Sequence, residues 1–213
     1  MRTLNLAAAI LSVWLLSGTA SRALVLLNDN FDTENGGIPQ LNYFGLANFN
    51  VANAGTGGAV DLIGNGSFDF YPGNGLYVDI CGSSSACGVL TTKQTFGAGD
   101  YTITLGIAGN ARVNATDAVN VSFGPLSASF PLTRSQIATE VETVTLSAPS
   151  ALTISDQGLL GPLIGDILLS VRIETAGGAA VPEPASLALL SASLICFAAI
   201  RRRRITPSAE PLN

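Results

Sequence analysis

Short segments of alternating apolar and polar residues recur along the middle of the chain, and they restrict its fold more than any other feature. Such alternation is typical of β-strands, because successive side chains of a strand point to opposite faces of the sheet. Gly, Pro, Asn or Asp bounds each segment, and no sustained helical period occurs within residues 24–175. The pattern predicts an all-β sandwich. The segments are 59–63, 76–80, 101–107, 119–123, 141–146 and 168–173.

One of these segments also indicates which face of its strand is buried, and another indicates a position at the edge of a sheet. In residues 101–105 the odd positions are Tyr101, Ile103 and Leu105, and the even positions are threonines. We therefore expect one buried face and one hydrated face. The segment 141–146 alternates less cleanly, which predicts a strand at the edge of a sheet.

The charge of this central region argues against several functions. Residues 24–180 contain four basic and thirteen acidic residues, a net charge of −9. Nucleic acid is not expected as a partner, because affinity for a polyanion depends mainly on Lys and Arg. The sequence has no histidine, no phosphate-binding loop and no Cys or His cluster for zinc. A glycosidase needs only two carboxylates, so that class of enzyme stays open.

The N-terminus has the pattern of a signal peptide. Arg2 precedes eleven mostly apolar residues at 6–16, and small residues follow up to Ala23. We predict that residues 1–23 form a signal peptide helix cleaved after Ala23, or after Ala20 as a second choice. An uncleaved anchor is the alternative, but the stretch is shorter than the roughly 20 residues that span a bilayer.

Residues 185–200 predict a short transmembrane helix. They carry no charge, and as a helix they would reach roughly 24 Å across a hydrocarbon core of about 30 Å. The next residues, Arg201, Arg202, Arg203 and Arg204, could snorkel to the interface. Basic residues beside a membrane segment stay cytoplasmic, so we expect residues 201–213 to be a cytoplasmic tail and the body to face outward.

A linker and a proline motif at residues 176–184 precede this helix. Residues 176–180 are all Gly or Ala, and Val181, Pro182, Glu183 and Pro184 follow them. The two prolines hold Glu183 in an extended conformation. Extended backbone is what the cleft of a protease or transpeptidase requires.

The motif, the apolar helix and the arginines together resemble the C-terminal sorting signal of the PEP-CTERM family. The resemblance implies processing by an exosortase, a membrane-embedded cysteine transpeptidase, in bacteria that have an outer membrane and make extracellular polysaccharide. The nine-residue tail at 205–213 departs from the family pattern, which usually ends sooner. An ordinary C-terminal anchor with a proline-containing stalk is the alternative.

The body resembles the galactose-binding-like jelly roll of carbohydrate modules, with landmarks at 28–32, 69–79 and 161–167. The resemblance implies a jelly-roll-like β-sandwich over residues 24–175. It also places Asp32 and Asp166 where such modules commonly hold a structural Ca²⁺ with backbone carbonyls. Family members often have paired acids where this chain has Gly165 before Asp166. In the alternative interpretation, both carboxylates cap turns.

Aromatic residues concentrate in the first third of this domain. Their rings could stack on sugars while Asn65, Asp69 and Asn74 bind sugar hydroxyls; alternatively, the rings fill the core. The residues concerned are Tyr43, Phe44, Phe49, Phe68, Phe70, Tyr71 and Tyr77.

Cys81 and Cys87 flank a short polar loop and predict a disulfide, because disulfides persist in exported proteins. Two free thiols become the better interpretation only if the signal peptide is wrong. Cys196 lies in the apolar segment near the C-terminus and is interpreted as an ordinary small apolar residue.

These observations lead to three functional hypotheses. The first is a non-enzymatic exported protein, transiently anchored in the inner membrane and then placed at the cell surface or in the extracellular matrix. The second is a carbohydrate-binding jelly roll with a structural calcium that retains extracellular polysaccharide. The third is a secreted enzyme that acts on glycosides.

Overall fold

The computed structural model describes residues 23–53, 59–83, 86–158 and 164–177. The signal peptide, the Pro-Glu-Pro motif, the transmembrane helix and the basic tail that the sequence predicts lie outside the described residues, as does most of the linker. Residues 23–177 form one compact unit.

The regular secondary structure of the described residues is almost entirely β-strand, with no α-helix and one 3-10 helix at Glu34–Gly37. This confirms the all-β prediction. The strands are β1 (Val25–Asp29), β2 (Gln40–Tyr43), β3 (Phe49–Asn53), β4 (Val60–Gly64), β5 (Leu76–Asp79), β6 (Gly88–Thr92), β7 (Gly99–Ala108), β8 (Asp117–Phe123), β9 (Leu126–Leu132), β10 (Ile137–Leu146), β11 (Thr153–Asp156) and β12 (Ile167–Thr175).

The strands form two antiparallel sheets that enclose one core. The larger sheet has seven strands in the order β10-β7-β12-β5-β4-β2, and β1 pairs with the second half of β12 beyond β5. The smaller sheet has five strands in the order β3-β6-β11-β8-β9. The six alternating segments of the sequence correspond to β4, β5, β7, β8, β10 and β12. β10 lies at the end of its sheet, so the edge-strand prediction is also confirmed.

The core between the sheets consists of the inward side chains of both. On β7, Tyr101, Ile103 and Leu105 are buried and the intervening threonines are half-buried, as the alternation predicted. Tyr101 packs edge-on against Phe96 and Phe123, with ring centroids 5.9 and 5.8 Å away. Each fully buried side chain of this size contributes about 1.5–3 kcal/mol to stability.

A second, smaller core lies on the outer face of the seven-stranded sheet. Residues 65–75 between β4 and β5 pass over this face, where Tyr71 packs against Tyr77 with centroids 6.1 Å apart. The Tyr71 hydroxyl donates to the carbonyl of Gly109, and the Tyr77 hydroxyl donates to Asp69 over 3.1 Å. Burial raises the pKa of Tyr77 to about 12. The loop therefore converts part of an outward-facing sheet surface into interior.

Candidate functional site

A cavity of about 180 Å³ opens beside this small core, at the β2–β4 side of the seven-stranded sheet. Val60 and Leu62 of β4 point into the main core, so Asp61 and Ile63 point to the outer face and reach the cavity. Its lining residues are Leu41, Asp61, Ile63, Phe68, Gly82, Ser83 and Arg112.

Two buried carboxylates lie at this cavity, and one of them, Asp61, lines it. Asp61 and Asp79 lie directly opposite each other on β4 and β5, and both are almost fully buried. Asp61 accepts hydrogen bonds from the backbone N–H of Asn42, at 2.7 Å, and from the Ser83 hydroxyl. Directly opposed like charges repel each other, so the pair needs these donors and a counter-ion.

Arg112 supplies that counter-ion. Its guanidinium forms an ion pair with Asp79 and lies 5.0 Å from the ring centroid of Phe70. Asp79 also accepts from the N–H of Cys81 over 3.2 Å. Burial nevertheless raises the pKa of Asp79 to about 7, because Arg112 only partly offsets the loss of water and Asp61 adds repulsion.

Phe68 is the exposed aromatic wall of the cavity. Its side chain is 58% exposed, and its backbone has φ = +46°. A bulky residue in the left-handed region costs on the order of 1–3 kcal/mol and often marks a functional position. An apolar ring in such a conformation, next to a buried carboxylate, offers one stacking face and one acceptor to the same ligand.

The disulfide fixes the opposite wall. Cys81 and Cys87 are bonded, which confirms the predicted bridge. The enclosed loop contributes Gly82 and Ser83 to the cavity. Gly82 has φ = +41°, and a Cβ there would come within 3.1 Å of the backbone N of Asp61. The loop thus depends on glycine to lie close against β4.

A group of buried acids lies next to the disulfide. Asp156 accepts from the N–H of Asp166 over 2.7 Å, and Asp166 accepts from the N–H of Asn110 over 3.1 Å. Burial and the neighbouring carboxylates raise the pKa of Asp156 to about 6 and that of Asp166 to about 7. Within the described residues, Asp166 Oδ2 and Asn110 Nδ2 have no hydrogen-bond partner, an arrangement that suits a bridging water.

The structure does not bring Asp32 and Asp166 together. Asp32 accepts from the N–H of Leu76 over 3.0 Å at the start of β5, whereas the Asp166 carbonyl accepts from Ile80 just after its end. Four residues of strand separate these points by roughly 13 Å. The two carboxylates thus contact opposite ends of β5, and the calcium site stays a prediction. The Asp32 carboxylate instead packs closely against the turn before β5, because a Cβ on Gly75 would come within 1.8 Å of Asp32 Oδ1.

Most of the predicted sugar-stacking aromatics are core residues. Phe44 and Phe68 are exposed, and Phe70 is half-buried beneath Arg112. Two of the three polar residues suggested beside them hold the loop: Asp69 binds the Tyr77 hydroxyl, and Asn74 Nδ2 donates to the carbonyl of Tyr71 over 2.9 Å. The buried members of the set are Tyr43, Phe49, Tyr71 and Tyr77.

The outer face of the five-stranded sheet is a second candidate surface. Strand register aligns ten small side chains in two rows, with no charge in either row. A cavity of about 230 Å³ lies over the β8–β9–β11 part of this face. The rows are Asn50, Thr91, Thr153, Ser122 and Ser127, and then Ala52, Val89, Ser155, Asn120 and Ser129.

Comparison with known proteins confirms the sorting signal. Residues 180–204 match the PEP-CTERM protein-sorting motif. A motif of this kind implies export and membrane-associated sorting to the cell surface. No curated protein matches the sequence. Within the described residues, no helix is both long enough and apolar enough to cross a membrane.

Several solved structures resemble this chain at low sequence identity, and an adhesin domain among them supports the fold. The K3 cleaved adhesin domain of Lys-gingipain from Porphyromonas gingivalis is 19% identical with a TM-score of 0.50, over 73% of this chain and 100% of that one. The CBM22-1 xylan-binding domain of Paenibacillus barcinonensis Xyn10C is 11% identical with a TM-score of 0.48, over 75% and 99%. An exo-β-1,3-galactanase from Phanerochaete chrysosporium is 16% identical with a TM-score of 0.36, over 60% of this chain and only 30% of that one. The chain is thus a jelly-roll-like β-sandwich that carries a PEP-CTERM sorting motif.

Proposed function

We propose that this protein is exported, held transiently in the inner membrane, and released by an exosortase-type transpeptidase to the cell surface or extracellular matrix. The match at residues 180–204 supports this, together with the signal peptide that the sequence predicts at residues 1–23. The apolar segment 185–200 and the basic residues after it would give the body an outward orientation before cleavage.

Replacement of Pro182, Glu183 and Pro184 by alanine tests the sorting step. We expect the variant to stay in the membrane at its uncut mass, whereas the wild-type body is released in a shorter form. Pro207→Ala, beyond the arginines, is the matched control and should be processed normally. If the alanine variant is released like the wild type, the segment is only an anchor.

For the body, we propose non-enzymatic binding of polysaccharide at the cavity beside Phe68. The exposed ring of Phe68 is the observation that carries this proposal, because a sugar ring stacks on an aromatic face and its hydroxyls can donate to Asp61. The volume of about 180 Å³ is smaller than the 300–1,000 Å³ of sites for drug-sized ligands. The cavity therefore suits one sugar unit of a longer chain.

The state of the two carboxylates favours binding over glycoside hydrolysis. A glycosidase needs one carboxyl group as acid and another as base or nucleophile, both facing the sugar. Asp79 does not line the cavity, and Arg112 and the N–H of Cys81 occupy its two oxygens. Asp61 alone lines the cavity, so the pair lacks a second group that can reach a substrate.

Retention on a glycan panel tests this binding. Phe68→Ala should weaken binding by about tenfold, which corresponds to about 1.4 kcal/mol. Phe44→Ala is the matched control, since Phe44 is 54% exposed and does not line the cavity. Failure of the wild type to bind any glycan, or an equal loss in both variants, would contradict the proposal.

Calcium remains part of the proposal at Asp166. Asp166 Oδ2, which has no hydrogen-bond partner among the described residues, and the nearby carboxylates of Asp117 and Asp156 provide the oxygen donors that Ca²⁺ prefers. At Asp32, both carboxylate oxygens already accept hydrogen bonds. We expect Ca²⁺ to raise the melting temperature of the wild type and of Asp32→Asn but not of Asp166→Asn. An unchanged wild type would remove calcium from the proposal.

A further inference from the structure

The charges around the Phe68 cavity restrict which sugar it can accept. Two carboxylates, Asp61 and Asp79, face one guanidinium, so the immediate surroundings carry one net negative charge when both acids are ionised. They carry no net positive charge when Asp79, whose pKa burial raises to about 7, takes up a proton near pH 6. Asp61 is the acid that lines the cavity wall, while Asp79 lies behind it under Arg112. The rest of the body adds a net negative background.

Arg112 is already committed within the protein. Its guanidinium pairs with Asp79 and lies over the ring of Phe70. A planar guanidinium binds a carboxylate best with two parallel N–H donors. A sugar carboxylate would have to compete with buried Asp79 for those donors, and it would approach against the charge of Asp61.

Asp61 can still accept hydrogen bonds from a ligand. The N–H of Asn42 and the hydroxyl of Ser83 each donate to one of its oxygens. Each carboxylate oxygen offers two acceptor positions, so the side chain retains capacity toward the cavity. The strongest donor for such a group is a cation, because a charge-assisted hydrogen bond is about twice as strong as a neutral one.

We propose that the cavity selects a basic sugar unit, one with a protonated amino group, over neutral sugars and excludes sugar acids. This inference rests on the proposed glycan binding and specifies the ligand of the same site. The amino group would pair with Asp61 while the ring stacks on Phe68.

Three oligosaccharides of equal length test the preference with wild-type protein: oligomers of glucosamine, of N-acetylglucosamine and of galacturonic acid, measured by calorimetry at pH 6. Acetylation removes the charge and leaves the ring unchanged, so the first two form a matched pair. We expect the amine to bind about tenfold more tightly than its acetylated form and the acid to show no binding. An equal or stronger affinity for the acetylated or acidic oligomer overturns the inference.

Asp61→Asn locates the effect at the cavity. Asp100→Asn is the control, because it removes the same charge from an exposed position on β7. Only Asp61→Asn should abolish the preference for the amine; loss of the preference in both variants would mean that the general acidity of the body attracts the ligand. If neutral glycans of the wider panel bind without any preference for an amine, this inference fails alone. If no glycan binds at all, the proposed function fails with it.

Discussion

The two outer faces of the sandwich differ in almost every respect. The seven-stranded face carries a loop, a second small core, buried acids, an arginine and an exposed aromatic ring beside a cavity. The five-stranded face presents two rows of small uncharged side chains and has no covering loop among the described residues. Sheet surfaces are normally hydrated, so the covered face is where this chain departs from a plain sandwich. The glycan binding proposed above places recognition on the covered face.

The largest effect should come from removing the ring that supports the covering loop. We expect Tyr77→Ala to lower the free energy of unfolding by about 3–5 kcal/mol, as at a position inside a main core, because Tyr77 is fully buried and binds Asp69. Asn120→Ala on the other face should stay within about 0.5 kcal/mol. Urea unfolding at neutral pH measures both. A loss of less than about 1 kcal/mol in the free energy of unfolding for Tyr77→Ala would show that the outer core contributes little to stability.

Loss of the disulfide should be the next largest effect, and it also falls on the covered face. Serine at both Cys81 and Cys87 should cost about 2 kcal/mol, the value expected for a short closed loop. The variant should also bind glycans more weakly, since Ser83 would no longer be held against Asp61. Ser127→Ala is the matched control on the other face. Unchanged stability together with a mass that does not respond to reductant would contradict the bridge.

The buried acids should make stability depend on pH. Asp79 and Asp166 have pKa values raised to about 7, and Asp156 to about 6, by burial. In the unfolded chain such groups ionise near pH 4, so the folded state binds more protons between about pH 4 and 7. Stability should therefore fall as pH rises through this window and then level off.

Urea unfolding at pH 5 and pH 8 measures this slope, in buffer without calcium. Asp166→Asn should flatten the slope because it removes one of the three groups. Asn120→Ala, on the outer face of the five-stranded sheet, changes no titratable group and should leave the slope unchanged. Greater stability at pH 8 than at pH 5 would contradict this prediction. It would mean that the three acids are already ionised at pH 5 and that neighbouring groups balance their charges.

The sequence predicted the strands whose alternation involves large apolar side chains. β7, for example, alternates Tyr, Ile and Leu with threonine, and its burial follows that pattern. The strand β9 was not predicted because Ser127, Ala128 and Ser129 at its centre carry little contrast in hydropathy, and because it includes Pro131. β2 was not predicted because its pairing with β4 is irregular around Asn42, which has φ = +52°.

The site was harder to predict than the fold, for a reason that Asp61 and Asp79 illustrate. Each occupies an outward position of a predicted strand, where an acid normally faces water. Their burial depends on the register that places them opposite each other and on Arg112, which follows in the chain 33 residues after Asp79. Neither relation is local in sequence. The disulfide could be predicted because the spacing of Cys81 and Cys87 and the expected export of the protein are enough to suggest it. Asp32 and Asp166, in contrast, were paired only by resemblance, and β5 lies between their contacts.

The smallest effect on stability and binding is expected for substitutions on the five-stranded face. These substitutions test whether the covered face alone binds glycan. Thr153 and Ser122 are cross-strand neighbours on this face, and both line its shallow cavity. Lysine at both positions should change the free energy of unfolding by no more than about 0.5 kcal/mol each, because surface substitutions rarely do more. If the Phe68 cavity alone binds glycan, the double variant should retain the wild-type affinity for neutral oligosaccharides. A loss of that affinity with normal stability would place recognition on the uncharged rows instead, since two bulky cations would then block hydroxyls that contact the ligand. Measured beside Phe68→Ala, this variant assigns binding to one face or the other by which of the two loses it.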